Sequence, residues 1–375
     1  EDIMQVKADG TVIGRHKPSS ELPFHLSVYR RRPDLRAVLH AHPPALVAFS
    51  IVRKLPDLTL LHNVRTECEH VAMSCYEVPG SAELGESIGR EFDKGNNIVF
   101  LENHGVCIGA KDMFSAFKLF ESMEYAANLE ILASKLGKPQ GPAPESYALT
   151  QTSHHTDMPE FVPAHHSSEE LAARRDMITF IHRSYRQGLF TATHGTYSVR
   201  LSDGSFLITP YGRDRAYLEP EDLVLVKDGK REEGKVPSRA VAYFEAVYRN
   251  NPDIHAVLLA MPPYAMSFAV TDAPFDPRTI PESYILLRDM AKVPSELMYT
   301  DAEAASKLLA VNRPAVMFQN DSVVVTGETL LKAFDRMEVL EATAHSIVLS
   351  RDVGEIVHIT EKEIDDLKQA FHLEG

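Results

Sequence analysis

Apolar residues along the first third of the chain follow two spacings, which predict helices mixed with strands. Leu22, Leu26 and Tyr29 lie one helical turn apart, after a serine that can cap free backbone N–H groups. A short β-rich run instead stops at Pro43, as strands often do. The pattern predicts helices over residues 20–31, 44–52 and 112–136, a strand over 36–42, and two strands within 96–109. Strands mixed with helices favour a layered α/β fold.

The same pattern occurs a second time further along the chain. The two copies pair residues 18–44 with 237–263, 98–110 with 315–327, and 116–130 with 333–347. The first pair is identical at 13 of 27 positions, and the offset is 219 residues there and 217 residues in the other two pairs. Such a run of matches predicts a tandem duplication. We refer to the copies as the first repeat and the second repeat.

The duplication divides the chain into two predicted domains joined by a linker. The first domain takes residues 1–140 and the second takes 167–375; the linker at 141–166 is rich in Pro, Ser, Thr and His and has no helical or strand period. The second copy carries about 54 residues ahead of the position equivalent to the start of the chain, so the N-terminal part of the first domain is missing. Because that loss would leave an open sheet edge, we expect disordered or cleaved residues ahead of Glu1.

The linker also contains a group of histidines. They are His154, His155, His165 and His166. Histidine-rich tracts can bind metal, but a polar linker with incidental histidines is the simpler interpretation.

Composition and charge exclude several classes of protein. Hydrophobic residues make up 44% and charged residues 25%, as in ordinary globular chains, and no apolar stretch of about 18 residues predicts a transmembrane helix. The net charge of −14 disfavours a nucleic-acid partner, which needs a basic surface against phosphate. Three cysteines without a CxxC pair, and no charged-then-apolar signal segment, favour a reducing, cytoplasmic location. A small anion in a locally positive pocket stays compatible with this balance.

Two histidines at the end of the first predicted strand are candidate metal ligands. His40 and His42 are two residues apart, so both imidazoles point to one face of the strand, about 3 Å apart. His104 lies in an Asn-His-Gly turn, where Gly105 lets the backbone turn sharply. Three histidines around an open position are typical of catalytic zinc sites. An HxH pair alone is more often a surface or core feature, so a packing role stays open.

The second repeat favours the metal interpretation. At the three equivalent positions it carries Leu259, Met261 and Asp321. The surrounding sequence is retained, whereas the three imidazoles are absent together. Histidines needed only for packing would have no common reason to change as a set.

A carboxylate and two serines lie at the start of the first predicted helix. Glu21 is Ala240 in the second repeat, and His25 follows Glu21 by one helical turn. A carboxylate beside a metal-bound substrate can remove a proton from carbon, although a capping role for Glu21 also fits. Ser19 and Ser20, with the free N–H groups of the helix start, predict a phosphate-binding site. Simple N-capping is the alternative for both serines.

Taken in order, these motifs resemble the class II aldolase/adducin family over residues 1–137. The matching motifs are PSSE at 18–21, His25, HxHPP at 40–44 and NHG at 103–105. The second repeat resembles the same family in fold only. The resemblance implies an α/β fold with two tandem three-layer α/β/α domains, each with a mostly antiparallel central sheet. The second domain would be a degenerate copy without metal ligands.

The resemblance also implies a chemistry. The implied metal ligands are His40, His42 and His104. They would hold Zn²⁺, or another divalent metal such as Mn²⁺ or Co²⁺, with Glu21 as the acid/base and the substrate phosphate at Ser19 and Ser20. The reaction would be the reversible retro-aldol cleavage of a sugar ketose phosphate, of the L-fuculose or L-rhamnulose 1-phosphate type, through an enediolate.

Partners and alternatives follow from the same resemblance. Family members assemble as tetramers with sites between protomers, so we expect a homo-oligomer, either a dimer or a tetramer. Some take a proton-donating tyrosine from a neighbour, and Tyr76 is a candidate for that role. A sugar-phosphate 4-epimerase or a decarboxylase of the superfamily would share the metal site, whereas a non-catalytic adducin-like assembly protein would not need it. No nucleic-acid or membrane partner is expected.

Overall fold

The computed structural model describes residues 2–151, 153 and 155–373. The chain folds into two units, one formed by residues 1–58 with 63–128 and the other by residues 59–62 with 129–375. Of the four linker histidines, His154 lies outside the described residues. Within the described part of the chain, no helix combines the length and the apolarity that a membrane crossing requires.

Prolines and one serine set the ends of several elements in the first 134 residues. β3 stops just before Pro43, α2 starts at Pro44, and the Ser81 hydroxyl caps α4 by accepting from the Leu84 N–H. The elements are β1 (Gln5–Val6), β2 (Val12–Ile13), α1 (Leu22–Arg31), β3 (Ala37–Ala41), α2 (Pro44–Ile51), α3 (His62–Glu67), β4 (Val71–Ser74), α4 (Ala82–Asp93), β5 (Ile98–Leu101), β6 (Gly105–Ala110) and α5 (Met113–Ser134). The helices and strands predicted for this part of the chain are confirmed to within two residues at each end.

A four-stranded sheet forms the centre of the first unit, in the order β3-β6-β5-β4. β3 and β5 pair antiparallel with β6, and β4 pairs parallel with β5. Every residue of β5 and β6 is buried. Because successive side chains of a strand point to opposite faces, both faces of the sheet are covered. The unit is therefore a three-layer α/β/α domain with a mostly antiparallel sheet, as predicted.

One face of this sheet packs on α1 and α4, which brings the start of α1 over the histidine strand. The core on that face combines Val38, Val99, Leu101 and Cys107 with Phe24, Val28, Leu84, Ile88 and Phe92. Full burial of one such side chain contributes about 1.5–3 kcal/mol. His40 lies two residues after Val38 and so points to the same face, towards α1.

The second unit repeats this architecture and extends it. Its elements are α6 (Pro144–Thr150), β7 (Glu160–Phe161), α7 (Ser168–Arg186), β8 (Thr196–Arg200), β9 (Phe206–Ile208), β10 (Val224–Lys227), β11 (Lys230–Glu232), α8 (Val241–Asn250), β12 (Ala256–Ala260), α9 (Pro263–Ala269), α10 (Pro281–Leu287), β13 (Ala291–Pro294), α11 (Glu296–Thr300), α12 (Ala302–Ser306), β14 (Ala315–Gln319), β15 (Ser322–Gly327), α13 (Leu330–Ser350) and α14 (Glu361–Phe371). Strands β12, β15, β14 and β13 pair in the order and directions of β3, β6, β5 and β4. The two repeats therefore share one strand arrangement.

The two sheets differ at one edge. β12 lies between β15 and β8, and the sheet continues through β9, β10 and β11 to β7. Among the described residues, β3 pairs with β6 alone. The strand that carries His40 is therefore an edge strand of the sheet formed by the described residues.

The predicted linker has more regular structure than its composition indicates. α6 begins at Pro144, a residue suited to a first helical position because it needs no N–H there. β7 pairs parallel with β11, with Glu160 opposite Arg231. The expectation that the segment 141–166 lacks helix and strand was wrong, because a composition rich in proline does not exclude a helix that starts at one.

Candidate metal centre

His40 is fixed at the end of β3 by a backbone hydrogen bond. Its Nδ1 lies 3.0 Å from the Val106 carbonyl oxygen on the neighbouring strand, so Nδ1–H donates there. A histidine that donates through one ring nitrogen presents the other as a lone pair. The His40 Nε2 accordingly lies 3.0 Å from the His42 Nε2. The two imidazoles share one face of β3, as the spacing predicted.

The third imidazole comes from the turn between β5 and β6. The His104 backbone N–H donates to the Leu101 carbonyl at 3.0 Å, which closes the turn. The left-handed residue of the turn is Asn103, with φ of 56°, whereas Gly105 has no positive φ. The expectation that Gly105 supplies the sharp backbone conformation was wrong, because the asparagine adopts the left-handed conformation itself.

Gly105 has a different role, which is to leave room for the His42 imidazole. A Cβ at this position would lie 2.6 Å from His42 Cδ2 and 2.6 Å from the Ala41 carbonyl oxygen. Real Cβ atoms do not approach other atoms so closely, so a side chain here would displace the imidazole. The glycine of the Asn-His-Gly turn therefore sets where the His42 ring can lie.

The three histidines converge on one point. One ligand atom from each of His40, His42 and His104 lies within 4.8 Å of the others. The ring centroids are 4.7, 5.0 and 4.8 Å apart, and the buried His104 Nδ1 has no hydrogen-bond partner among the described residues. Imidazole nitrogens about 2 Å from a tetrahedral ion lie roughly 3.3 Å from each other. The cluster therefore fits a single divalent transition metal.

Burial keeps His40 and His104 in the neutral form that binds metal. It lowers the pKa of His40 to about 4; the hydrogen bond to Val106 opposes the shift, and the neighbouring His104 and His42 add to it. The pKa of His104 is also lowered, mainly by burial and then by His42, while Glu21 opposes the shift. Neutral imidazoles need not lose a proton before they coordinate an ion at neutral pH.

Glu21 lies beside the cluster and is not used as a cap. It is the N-cap residue of α1, but its side chain makes no capping hydrogen bond. Its Oε2 is buried and has no hydrogen-bond partner among the described residues. Burial lowers the pKa of His25, and the Glu21 carboxylate opposes that shift, so Glu21 acts on two imidazoles. A buried carboxylate oxygen without a partner is available to exchange a proton with a ligand.

The two serines and the tyrosine lie at the surface. Ser19 and Ser20 are exposed ahead of α1, and the Ser19 hydroxyl accepts the Glu21 N–H at 3.2 Å. Tyr76 is exposed, and its backbone N–H donates to the Glu102 carboxylate at 3.2 Å. These contacts leave the phosphate role of the serines and the proton-donor role of Tyr76 as predictions.

Sequence reasoning missed a carboxylate that holds the chain just after the HxH pair. Glu124 of α5 accepts the Ala45 N–H at 3.0 Å and the Leu46 N–H at 2.9 Å. Because α2 starts with a proline, these are its first free N–H groups. Burial raises the pKa of Glu124, and the two N–H donors oppose that shift. The signal was in the repeat alignment, which pairs Glu124 with Glu341.

The second repeat keeps a glutamate that accepts two N–H groups at the equivalent place, but it fills the histidine positions differently. Glu341 accepts two N–H groups at the start of α9, at 3.0 and 2.9 Å. Leu259 and Met261 are buried. Asp321 accepts from the Tyr299 hydroxyl at 3.2 Å and from the hydroxyl of the next residue at 2.8 Å. In this repeat, apolar packing and local hydrogen bonds replace the three imidazoles.

Comparison with known families and proteins adds an independent view of the chain. The sequence profile of the family described as "Class II Aldolase and Adducin N-terminal domain" matches residues 1–131 and 175–348. The two matched segments contain the first and the second repeat, respectively.

Several curated proteins are similar to this chain. The 5-deoxy-D-ribulose 1-phosphate aldolase of Bacillus thuringiensis serovar kurstaki is 34% identical over 37% of this chain and 65% of its own length. The 3-oxo-tetronate 4-phosphate decarboxylase of Escherichia coli O6:H1 is 32% identical over 53% of this chain and 96% of its own length. The L-fuculose phosphate aldolase of Methanocaldococcus jannaschii is 31% identical over 35% of this chain and 70% of its own length.

These relatives include both aldolases and a decarboxylase, so they agree on a superfamily and differ in the reaction. The histidine cluster suits the divalent-metal dependence that is general in that superfamily. With the profile matched over well more than half of the residues, the chain belongs to the class II aldolase and adducin N-terminal domain family.

Proposed function

We propose that the first repeat is a metal-dependent class II aldolase that reversibly cleaves a sugar ketose phosphate, of the L-fuculose or L-rhamnulose 1-phosphate type. The observation that carries the proposal is the convergence of three imidazoles beside the Glu21 Oε2, which has no hydrogen-bond partner in the described part of the chain. An assembly scaffold would need neither, so the adducin-like alternative is disfavoured. The 34% identity to a ketose 1-phosphate aldolase supports the substrate class.

The metal is the first part of this proposal. His40, His42 and His104 would hold one divalent ion, for which zinc is our first choice because the ligands are three nitrogens. When bound, such an ion supplies a Lewis acid for oxygens of the substrate. The Val106 carbonyl and Gly105 keep the first two rings in place for that task.

Proton transfer is the second part. In the cleavage direction the hydroxyl on the departing fragment loses its proton and a C–C bond breaks. The carbon that carried this hydroxyl becomes the aldehyde carbon. Glu21 then delivers a proton to the carbon that retains the electron pair of the broken bond. In the condensation direction Glu21 removes that proton again. Tyr76 stays the candidate to exchange the hydroxyl proton.

Substrate binding is the third part. Ser19 and Ser20 are exposed next to Glu21, at the start of a ten-residue helix. Hydroxyls and free N–H groups at a helix start bind phosphate well. We assign the substrate phosphate to these two serines.

A decarboxylase is the second candidate, because one such enzyme is 32% identical over 96% of its length. In that reaction the bond to a carboxylate breaks, carbon dioxide leaves, and the remaining carbon takes up a proton. The metal ligands and Glu21 would keep the same tasks, so only the products separate the two reactions.

The test is elemental analysis of the purified chain, followed by a screen of ketose 1-phosphates for release of dihydroxyacetone phosphate. A 3-oxo acid phosphate is assayed in parallel for carbon dioxide. We expect about one divalent metal per chain and cleavage of a ketose 1-phosphate. Carbon dioxide release alone would move the assignment to the decarboxylase, and a chain that binds no divalent metal would overturn the proposal.

A further inference from the structure

A surface pocket of about 290 Å³ lies in the second unit, where α10 packs against α13 and α14. All of its lining residues fall between positions 285 and 373, so it belongs to the second repeat alone. Its apolar walls are Ile285, Leu286, Val311 and Leu373. A pocket of this volume holds a small organic molecule.

Arg336 of α13 lines this pocket and is held through one of its nitrogens. Its Nη1 donates to the Thr326 carbonyl at 2.6 Å and lies 3.2 Å from the Glu328 carboxylate. The Thr326 N–H in turn donates to the carbonyl of Pro314, another lining residue, at 2.8 Å. The guanidinium has five N–H groups. Its contacts with the described residues use Nη1, so Nε and Nη2 are left to bind a ligand.

A second guanidinium lines the pocket directly after α10. Arg288 Nη1 donates to the Ile285 carbonyl at 2.8 Å, and its Nε lies 3.4 Å from the Asp289 carboxylate. The Arg288 side chain is 13% exposed, whereas that of Asp289 is 51% exposed. Water around the carboxylate weakens this ion pair. The positive charge of Arg288 is therefore only partly compensated.

The charge at this pocket is opposite in sign to that of the whole chain, which carries a net −14. Among the described residues that line it, none is acidic. Glu328, which pairs with Arg336, also lies 3.1 Å from the Lys332 Nζ through its other oxygen. Two cations thus share one carboxylate, and an excess positive charge is left beside the pocket.

His372 completes the polar part of the lining. It ends α14 with a left-handed φ of 52°, and the next N–H, that of Leu373, donates to the Lys368 carbonyl at 3.0 Å. This turn places both residues at the pocket. An imidazole carries at least one N–H in either protonation state, so His372 adds a donor beside the arginines.

The two arginines are peculiar to the second repeat. In the repeat alignment, Arg336 corresponds to Leu119. Strand β13 pairs with β14 as β4 pairs with β5, and this register makes Arg288 the equivalent of Glu69. The first repeat forms the same strands and helices with a leucine and an acid at these positions. The common fold therefore requires neither guanidinium.

We propose that this pocket binds a small phosphate ester, with its phosphoryl group between Arg288 and Arg336 and its organic part against the apolar walls. A phosphate monoester carries a charge of about −2 and three strong acceptor oxygens, which match two guanidinium groups and the neighbouring imidazole. A carboxylate has a single charge and would leave one arginine unmatched. The inference concerns the second repeat and does not rest on the proposed aldolase.

The test is isothermal titration calorimetry with n-butyl phosphate as the probe. The titrated chain carries Ser19→Ala and Ser20→Ala and is freed of metal with a chelator, so that the phosphate and metal sites proposed for the first repeat are removed. We expect saturable binding that is tighter than that of inorganic phosphate, which lacks the apolar part, and of hexanoate, which lacks the phosphoryl group. Equal or tighter binding of either reference compound would overturn the proposed ligand class.

Variants of the lining provide the second measurement. Arg336→Leu and Arg288→Glu, which introduce the residues of the first repeat, should each weaken binding by about 10- to 100-fold. Val311 is 42% exposed, so a polar residue there does not disturb the core. Val311→Asp should weaken binding and Val311→Lys should strengthen it, because only the charge beside the phosphoryl group differs.

The control is Arg249→Leu, which removes an exposed arginine that pairs with Glu303 outside the pocket. It should bind the probe with unchanged affinity, and thermal unfolding shows that each variant is folded. Absence of binding, full affinity in either arginine variant, or equal effects of the two Val311 variants would each overturn the proposal. A chain that binds the ester but no metal would leave this inference in place and remove the proposed aldolase.

Discussion

The ends of β3 and β12 are the same place in two copies of one fold, yet they are built for different purposes. At β3, two imidazoles meet a third from the turn between β5 and β6, beside a carboxylate oxygen that has no hydrogen-bond partner among the described residues. At β12, Leu259 and Met261 are buried and Asp321 is hydrogen-bonded to its neighbours. Both strand ends are followed by a helix whose first N–H groups bind a glutamate. Scaffold and chemistry are therefore separable in this fold.

The largest expected effect comes from removing a ligand in the first repeat. His40→Ala should abolish metal binding and lower activity by about 1,000-fold or more, since two imidazoles hold an ion poorly. The melting temperature of the metal-free chain should hardly change, because the second repeat folds without these ligands. Metal content, turnover and thermal unfolding check this.

The matched control is His16→Ala, which changes an exposed histidine outside the cluster. It should keep both metal and activity. Full turnover in His40→Ala would show that the cluster is not the active site.

The next largest effect distinguishes the role of the Glu21 carboxylate from the role of the metal. Glu21→Gln should retain the metal and lower kcat by about 100- to 10,000-fold, because an amide cannot exchange the proton. Metal content is measured alongside steady-state kinetics, with Glu83→Gln, at an exposed position in the first turn of α4, as the control. Unchanged rates would remove Glu21 from the proton transfer.

A smaller effect should follow from adding one methyl group. Gly105→Ala places a Cβ 2.6 Å from the His42 ring, so the ring must shift. We expect metal affinity to fall about 10- to 100-fold, as for other losses of support around a ligand. Competition with a chromophoric chelator measures it.

Gly137→Ala is the control for that change, because a Cβ there meets nothing within 4 Å. It should bind metal like the wild type. Equal affinity in Gly105→Ala would mean that the His42 position does not depend on the glycine.

The smallest effect concerns Glu341, which accepts two N–H groups at the start of α9 in the second repeat. Burial raises the pKa of Glu341 to about 7, against the two N–H groups that lower it. A carboxyl group whose pKa is raised by folding stabilises the fold while it is protonated. Its contribution to the free energy of unfolding is therefore full below about pH 4.5 and is lost as the pH rises towards 7. Glu341→Gln should therefore gain stability relative to the wild type over that range, by on the order of 1–3 kcal/mol.

Thermal unfolding of both chains from pH 4 to pH 8 provides the comparison. The difference in melting temperature should grow with pH and level off near pH 8. Parallel curves would show that the buried carboxyl titrates like a free one.

The sequence predicted the parts of the site that depend on local spacing. A period of two puts His40 and His42 on one face, and Pro43 ends their strand, so both could be placed without coordinates. The third candidate ligand, His104, was placed from its Asn-His-Gly turn, and comparison with the second repeat supported it. Each of these inferences uses only the local conformation or the internal alignment.

The parts that sequence reasoning missed depend on distances between segments far apart in the chain. Gly105 matters because of its approach to His42 across two strands, which no local pattern encodes. Glu124 acts on a helix start 79 residues away. The helix in the predicted linker was missed because the segment was judged by its composition and its lack of a helical period, and α6 is only seven residues long.

Gly105 has one more consequence, for the evolutionary path of the second repeat. The equivalent residue there is Ser322, which is buried and donates its hydroxyl to Asp321. Returning three imidazoles to that repeat would leave the serine side chain where the ring of the second ligand must lie. A metal site in that half would therefore require a fourth change, from serine to glycine at position 322, besides the three histidines.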